Sequence, residues 1–266
     1  MIGYNTLLGL DLFSDEIEDS YIFHIPHSKT EIPDQFKSDF VNTESMEHEI
    51  KLLTDFATDE IFTIGSLSKV VFPYSRIFCD VERLDDENEV MFKYGRGFYY
   101  TKTDSGELLR ENLNGSKEMI YTDYYLKHHE RLTNLVDQKL KDGRSPVIVD
   151  CHSFADRPFT SDLEQGSERP DFCIGTDEFH TPKWLVDMAV AFLTNQGYSV
   201  KINYPYSGTI VPMKHYQKNE DVHSIMIEVN RKLYMDGGVV DDNKVKELNQ
   251  LMSGLFLVNY QPNPIE

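Results

Sequence analysis

The sequence predicts an α/β protein with a mainly parallel mixed sheet, and three observations support this fold class. Short apolar runs rich in β-branched and aromatic residues recur along nearly the whole chain. Helix-forming segments lie between them, and this alternation is typical of a parallel sheet with helices on both faces. Polar clusters stand at the ends of several apolar runs, where folds of this class bind ligands. We therefore expect a three-layer αβα sandwich with an active site at one edge of the sheet.

The individual elements follow from these patterns. Strands are expected at residues 21–26, 70–72, 76–81, 146–150, 171–174, 199–203 and 224–229. Helices are expected at residues 45–63, 116–142, 181–196 and 241–256. The second helix ends in Lys139-Leu140-Lys141-Asp142-Gly143, which places cations in its last turn and a glycine after it. The segments 84–115 and 153–170 have little periodicity and are predicted to form long loops near the site.

Composition limits the class of partner. The chain has 266 residues and a formal net charge of −19, so nucleic acids and anionic membrane surfaces would repel it. We expect a single domain over residues 1–266 and a small-molecule ligand. Residues 1–20 contain acidic side chains where a signal peptide has basic ones, and no run approaches the ~20 apolar residues of a membrane span. A cytoplasmic protein is expected, with Cys79, Cys151 and Cys173 as buried thiols.

Two histidines stand at the ends of predicted strands. His27 follows the run 21–26, and His152 follows the apolar run that ends at Asp150. Two imidazoles and one carboxylate would complete a zinc site whose fourth position is open to water. The alternative is a pair of histidines that only form hydrogen bonds. The carboxylate is either Glu31, four residues after His27, or Asp55, which opens an amphipathic segment.

Glu228 is the candidate general base. It closes the apolar run Ile225-Met226-Ile227, so its carboxylate would be partly desolvated at the edge of the sheet. Desolvation raises the pKa of a carboxyl group towards the range that a general base needs. The predicted chemistry is attack by metal-activated water on a bond that the ion polarises. The alternative is a surface ion pair with Arg231 or Lys232, which would stabilise the fold by only about 0–1 kcal/mol.

Fixed cations are expected in the site, because an acidic protein that binds a carboxylated substrate must supply positive charge locally. Arginine offers a planar fork that matches a carboxylate. Arg76 is predicted to lie inside an apolar strand, where a cation without a function would be costly to bury. Arg83 and Arg231 are further candidates, each with an internal ion pair as the alternative. Asn203 begins a turn that would bring backbone donors to the site.

Several fragments together resemble the N-formylglutamate amidohydrolase family, a branch of the zinc-dependent exopeptidase-like α/β hydrolases. The resemblance covers most of the chain and implies a zinc-exopeptidase/phosphorylase-hydrolase-like fold. Its fragments are Pro26-His27-Ser28, Asp55 with Thr58 and Ile61, Tyr74-Ser75-Arg76-Ile77-Phe78-Cys79-Asp80-Val81-Glu82-Arg83, Asp150-Cys151-His152-Ser153, Asp171-Phe172-Cys173-Ile174-Gly175, Asn203-Tyr204-Pro205-Tyr206-Ser207-Gly208 and Glu228-Val229-Asn230-Arg231-Lys232-Leu233-Tyr234-Met235.

The resemblance implies one Zn²⁺, or another divalent ion, per chain. Its ligands are expected to be His27, Asp55 and His152, with Glu31 as the second choice for the third ligand, and Glu228 is expected to be catalytic. The residues assigned to substrate binding are Arg76, Asp80, Arg83, Asn203 and Arg231.

The sequence departs from the family pattern at two positions. Lys29 replaces the glycine after Pro-His-Ser, and Glu82 replaces the usual asparagine between Asp80 and Arg83. Both changes bear on the choice of substrate. We predict hydrolysis of the amide bond of a small N-acylated amino acid of the N-formyl type. The alternatives are a metallopeptidase or peptidoglycan-type amidase with the same site, or a small-molecule binder without catalysis.

Overall fold

A computed structural model describes residues 19–86 and 88–257 of the chain. Its main strands are β1 Tyr21–Ile25, β2 Ser68–Val71, β3 Val147–Phe154, β4 Phe172–Gly175, β5 Val200–Ile202 and β6 His223–Asn230. Within the described residues they form one six-stranded sheet in the order β2-β1-β3-β6-β4-β5. Strands β2, β1, β3 and β6 are parallel, whereas β4 is antiparallel to β6 and parallel to β5. The predicted mainly parallel mixed sheet is confirmed.

Helices connect most of these strands. They are α1 Thr43–Leu53, α2 Thr58–Ile61, α3 Ser116–Ile120, α4 Leu126–Lys141, α5 Lys183–Asn195 and α6 Asp242–Leu257. A π-helical turn at Tyr121–Tyr125 joins α3 to α4, so the predicted helix over 116–142 is continuous but not regular. A two-stranded hairpin, Met235–Asp236 with Val239–Val240, precedes α6. The helices predicted at 181–196 and 241–256 are confirmed as α5 and α6.

Alternate residues of the central strands face opposite layers of the molecule. Phe23 and Val149 lie in one apolar cluster with residues of α5 and α6. Ile22 and Ile148 lie in another with residues of α4. Since side chains alternate along a strand, the two clusters occupy the two faces of the sheet. Helices therefore cover both faces, as the prediction of three layers requires.

Polar side chains extend the α4-facing side of the sheet towards its carboxyl edge. Asp150 and His152 follow Ile148 at two-residue intervals in β3, and His152 is in register with Glu228 of β6. His24 continues the same face of β1 after Ile22. Because the parallel strands end at one edge, these residues and the segments that follow the strands meet there.

The strand predicted at 76–81 is wrong. Instead, these residues form a buried turn, in which the amide of Phe78 donates to the carbonyl of Ser75 at 3.0 Å. The guanidinium of Arg110 donates to the carbonyl of Phe78 at 2.8 Å and replaces a neighbouring strand as a partner. An apolar run without periodicity does not distinguish a buried turn from a buried strand. Arg76 therefore begins a turn and does not lie inside a strand.

Further predictions concern membrane spans, the N-terminus, the number of domains and the cysteines. In residues 19–86 and 88–257, no helix has the length and apolar character needed to cross a membrane. Residues 1–18, which carry most of the N-terminal pattern used to argue against a signal peptide, lie outside the described residues. A single domain over 1–266 stays a prediction. Cys79, Cys151 and Cys173 are buried free thiols, as expected.

Candidate active site

The segments after β1 and after α1 are joined at the edge of the sheet. The amide of Asp55 donates to the carbonyl of His27 at 3.0 Å. Ala57 adopts a left-handed conformation with φ of 60°, which separates α1 from α2. The helix predicted over 45–63 is therefore two helices, and Asp55 lies in the break between them. This break places a buried carboxylate beside the histidine that follows β1.

His27, Asp55 and His152 approach one another closely. The two Nδ1 atoms of the histidines are 3.3 Å apart. Asp55 Oδ2 lies 3.2 Å from Nδ1 of His152 and 3.7 Å from Nδ1 of His27. One nitrogen or oxygen of each residue lies within 4.8 Å of the others, and all three residues are buried. We call this group the Asp55 cluster. The structure thus brings together the three residues that were predicted as metal ligands.

Carboxylates fix the protons of both histidines. His27 donates from Nε2 to Asp80 Oδ1 at 2.8 Å, and His152 donates from Nε2 to Asp150 Oδ1 at 3.1 Å. With their Nε2 protons held there, both histidines turn Nδ1 towards Asp55 Oδ2, and Nδ1 of His152 is within hydrogen-bond distance of it at 3.2 Å. A divalent cation that replaced the proton shared at this point would attract all three atoms. Histidines with a carboxylate behind them are also the usual arrangement at zinc. The residues therefore fit a metal ion.

Asp80 lies behind His27 and does not line the cavity. It is fully buried and accepts hydrogen bonds from Arg76 at 3.0 Å and from the hydroxyl of Tyr100 at 2.7 Å, in addition to His27. Burial raises the pKa of Asp80, but the charges of Arg76 and His27 outweigh that effect and lower the pKa to well below its usual range. The structure thus gives Asp80 the position of a group that orients His27, whereas the sequence assigned it to the substrate.

Arg231 is engaged with Asp55. It donates from Nη2 to Asp55 Oδ1 at 2.8 Å, from Nε to Ser153 Oγ at 3.1 Å and from Nη1 to the carbonyl of Leu52 at 2.8 Å. Burial raises the pKa of Asp55, but the two histidines and Arg231 outweigh that effect and lower it. The sequence assigned Arg231 to the substrate, with Glu228 as its alternative partner. The structure pairs it with Asp55 instead.

Glu228 lies on the cavity wall next to His152 in the sheet. It is 7% exposed, and its Oε2 has no hydrogen-bond partner among the described residues. Burial raises the pKa of Glu228 to about 8, although the charge of His152 opposes this rise. A carboxyl group with a raised pKa and a free oxygen at a cavity wall has the properties of a general base.

A cavity of about 600 Å³ opens from these residues. Parts of segments 84–115 and 153–170, which were predicted to form long loops near the site, line its walls. The two segments are joined through Asp104, which accepts the amides of Thr160 at 2.8 Å and Ser161 at 3.0 Å. These contacts hold both loops against the cavity. The volume is in the range of ordinary small-molecule sites.

Two arginines that line the cavity differ in how far they are engaged. Arg76 donates to Asp80 from both Nε and Nη2, at 3.2 and 3.0 Å. The guanidinium of Arg83 lies 3.6 Å from both Asp80 and Glu89, and its Nε has no hydrogen-bond partner among the described residues. Arg83 is thus the less engaged of the two, and its side chain is 28% exposed at the cavity, where a guanidinium can bind a carboxylate.

Asn203 and Glu31 lie outside the cavity lining. Asn203 follows β5, and residues 205–211 after it line the cavity, although Asn203 itself does not. Its exposed side chain pairs with Thr176 at 2.8 Å. Glu31 is exposed and accepts the amide of Thr30 at 3.2 Å. The geometry thus favours Asp55 over Glu31 as the third ligand and does not bring Asn203 to the site.

A second cluster lies on the other side of His152 and was not predicted. Nδ1 of His24 is 3.0 Å from Asp150 Oδ1 and 3.0 Å from Glu82 Oε1. We call these three residues the Glu82 cluster. Burial lowers the pKa of His24, but Asp150 and Glu82 outweigh that effect and raise it to about 9. One signal was available in the sequence, because a histidine inside the run Tyr21–Ile25 is costly to bury without partners.

The sequence is similar to those of known proteins. The sequence matches the family described as N-formylglutamate amidohydrolase over residues 19–235. The N-formylglutamate deformylase of Pseudomonas aeruginosa is 27% identical over 197 residues, which are 70% of each chain.

Two solved structures share the fold. The crystal structure of N-formylglutamate amidohydrolase from Ralstonia eutropha JMP134 aligns with a TM-score of 0.77 and 20% identity, and covers 90% of this chain and 91% of that one. A gene product of Agrobacterium tumefaciens aligns with a TM-score of 0.64 and 15% identity over 91% and 90% of the two chains. Since the family match spans most of the sequence, the chain belongs to the N-formylglutamate amidohydrolase family.

Proposed function

We propose that the protein is a metal-dependent amidohydrolase that hydrolyses N-formylglutamate to formate and glutamate. Family membership and the P. aeruginosa relative, which is named an N-formylglutamate deformylase, support this reaction. The observation that carries the metal dependence is the Asp55 cluster, in which two imidazole nitrogens and a carboxylate oxygen converge and each of the three residues is held by a charged group behind it. Glu228, with its raised pKa, lines the same cavity.

His27, Asp55 and His152 would hold the ion. A divalent ion bound there would supply a Lewis acid for the formyl carbonyl and for the attacking water. The chain's own contribution is to hold three ligand atoms in place before the ion arrives. Asp80 does this for His27, and Arg231 does it for Asp55.

Glu228 would move the proton. In its ionised form it accepts a proton from water as the oxygen of that water bonds to the formyl carbon. It then gives the proton to the amide nitrogen as the C–N bond breaks, so that formate and the free amine leave. The pKa of about 8 applies to the protein without an ion. A cation nearby favours the charged form of a carboxyl group and would lower that pKa towards neutrality.

Arg83 would bind a carboxylate of the substrate. N-formylglutamate has two carboxylates, and a chain with a net charge of −19 must supply cations locally. Arg76 and Arg231 are engaged with buried aspartates, whereas Arg83 is less engaged and is 28% exposed at the cavity. A planar guanidinium can bind a carboxylate through two parallel hydrogen bonds.

The mouth of the cavity favours a broader choice of acyl group than formyl alone. Leu84, Val90, Leu163 and Met213 line the cavity and are each between 44% and 64% exposed. An apolar acyl chain would bury part of this surface, which is favourable by about 25 cal/mol per Å². N-acetyl and longer N-acyl glutamates therefore belong in the substrate panel beside N-formylglutamate.

The test is formate release from N-formyl-L-glutamate by the wild type and by Glu228→Gln, with the zinc content of each protein measured by elemental analysis. We expect the variant to keep its zinc and to lose about 10²–10⁴-fold in kcat, because the proton acceptor is gone. Glu31→Gln is the matched control, since Glu31 is an exposed carboxylate outside the cavity lining. Unchanged turnover by a zinc-loaded Glu228→Gln protein would show that Glu228 is not the base.

A further inference from the structure

We infer that the chain holds a second divalent cation at the Glu82 cluster, between His24, Glu82 and Asp150, on the side of His152 opposite Asp55. The proposed deformylase reaction needs one ion, so this site goes beyond it.

The geometry repeats the arrangement at the Asp55 cluster. Nδ1 of His24, an oxygen of Glu82 and an oxygen of Asp150 lie within 4.8 Å of one another. His24 and Asp150 are fully buried, and the Glu82 side chain is 17% exposed. One imidazole nitrogen and two carboxylate oxygens are a ligand set that suits Zn²⁺, Mn²⁺ or Co²⁺.

A second histidine supports the ligand role of His24. Nε2 of His24 lies 2.8 Å from Nε2 of His128, which is itself buried. With Nε2 of His24 turned to His128, its Nδ1 faces Glu82 and Asp150 and would bind an ion that displaces the Nδ1 proton. A histidine that binds a metal through one nitrogen usually donates from the other to an acceptor behind it.

The negative charges of the Glu82 cluster would also stabilise a bound cation. In residues 19–86 and 88–257, the ion pairs of Glu82 and Asp150 involve only His24 and His152, and no lysine or arginine. Asp55, by contrast, pairs with Arg231. Two buried carboxylates served only by histidines need a positive charge, which protonated imidazoles supply when no ion is bound. A divalent ion would take over this role and release the protons.

Hydrogen bonding does not account for the short distance between His24 and Glu82. His24 Nδ1 has hydrogen-bond geometry with Asp150 Oδ1. Glu82 Oε1 lies at the same distance of 3.0 Å, yet it has no hydrogen-bond partner among the described residues. One N–H can point at only one of the two oxygens. Two acceptors at equal distances from one nitrogen are expected where all three atoms face a common ion.

An ion would reach this site through the substrate cavity. Glu82 and Asp150 both line the cavity, together with His152 and Glu228. His152 offers Nδ1 to the Asp55 cluster, and its Nε2 lies 3.1 Å from Asp150 and 3.5 Å from Glu82. The second ion would therefore share a wall of the cavity with the first and stand next to the same histidine.

The test counts ions. The full chain is freed of metal with a chelator, dialysed with excess Zn²⁺ and then against metal-free buffer, and analysed for zinc per chain. We expect two ions in the wild type, one in Glu82→Gln and one in Asp55→Asn, with none in the double variant. Titration with Co²⁺, followed by its visible absorption, should give the same stoichiometry in the wild type without any mutation.

The zinc content of the wild type and of each variant distinguishes the second site from the proposed function. One zinc per wild-type chain that is lost in Asp55→Asn but kept in Glu82→Gln overturns the second site and leaves the proposed function intact. That outcome would mean that a protonated His24, and not an ion, lies between the two carboxylates of the Glu82 cluster. Two zinc ions in Glu82→Gln would also overturn it. Glu31→Gln, which removes a carboxylate outside both clusters, must keep two ions, or the loss in Glu82→Gln reflects net charge alone.

Discussion

The two sides of His152 carry similar side chains but balance their charge differently. On the Asp55 side, Arg231 pairs with Asp55 at 2.8 Å and Arg76 pairs with Asp80 at 3.0 Å. On the Glu82 side, within the described part of the chain, Glu82 and Asp150 are paired with histidines only.

The difference shows what keeps each side in place when no ion is bound. A buried carboxylate with an arginine partner stays charged and fixed, so the Asp55 cluster is formed before the ion arrives. At the Glu82 cluster, a proton on His24 or a cation must supply the positive charge. Occupancy by an ion therefore changes the charge state of the Glu82 side more than that of the Asp55 side.

Among the substitutions considered, Asp55→Asn should reduce activity most. Asp55→Asn removes a charged ligand and leaves Arg231 without its partner, so the ion at this cluster should be lost. Without the Lewis acid, kcat/KM for N-formyl-L-glutamate should fall by about 10³-fold or more. Zinc analysis and formate release measure both effects. Full zinc content and activity in Asp55→Asn, with losses in Glu31→Gln, would mean that the third ligand is Glu31.

A smaller effect tests the support behind Asp55. Arg231→Lys keeps a charge but loses the fork that contacts Asp55 and Ser153 together. We expect zinc affinity to fall by about 10–100-fold, with KM nearly unchanged once zinc is saturating. Competition with a chelating dye gives the affinity, and thermal unfolding checks the fold. A raised KM with unchanged zinc affinity would show that Arg231 binds the substrate, as the sequence predicted.

A third prediction concerns Arg83, the less engaged arginine. Arg83→Gln should raise KM for N-formyl-L-glutamate by about tenfold, because one charge-assisted hydrogen bond contributes roughly 1.5–3 kcal/mol. The same variant should change KM for N-formylglutamine less if Arg83 contacts the side-chain carboxylate. Equal effects on the two substrates would place Arg83 at the α-carboxylate, and no effect on either would remove it from the site.

The smallest expected effect lies behind the Glu82 side, in α4. Burial, followed by the charge of His24, lowers the pKa of His129 to about 4. His129 is therefore neutral in the folded protein, while the unfolded chain takes up a proton below about pH 6.5. Stability is lost as the pH falls from 6.5 towards 4. In chelator, His129→Gln should lessen this loss by about 1–2 kcal/mol at pH 5 in urea unfolding. An identical pH dependence in both proteins would show that His129 has no such role.

The sequence predicted the parts of the fold and site that depend on local patterns. Alternating strands and helices, and polar residues at strand ends, are readable one segment at a time. His27, His152 and Glu228 were identified in this way, whereas the family resemblance selected Asp55 over Glu31. The structure places these four residues around one cavity.

Contacts between residues that are distant in the chain could not be predicted from the sequence. Arg231 pairs with Asp55 across 176 positions of the chain, and no local pattern distinguishes that role from substrate binding. The buried turn at 76–81 is as apolar as a strand, because Arg110 and the surrounding aromatic residues enclose it. Asn203 was misplaced because its side chain pairs with Thr176. His24 meets Asp150 only once β1 and β3 are paired.

Metal removal and return decide whether this chain hydrolyses N-formylglutamate with an ion at the Asp55 cluster. Formate release is measured for chelator-treated protein, whose zinc content is known by elemental analysis, before and after Zn²⁺ is added back. We predict no turnover without metal and full recovery with zinc. Undiminished deformylation by a protein free of metal would contradict the account.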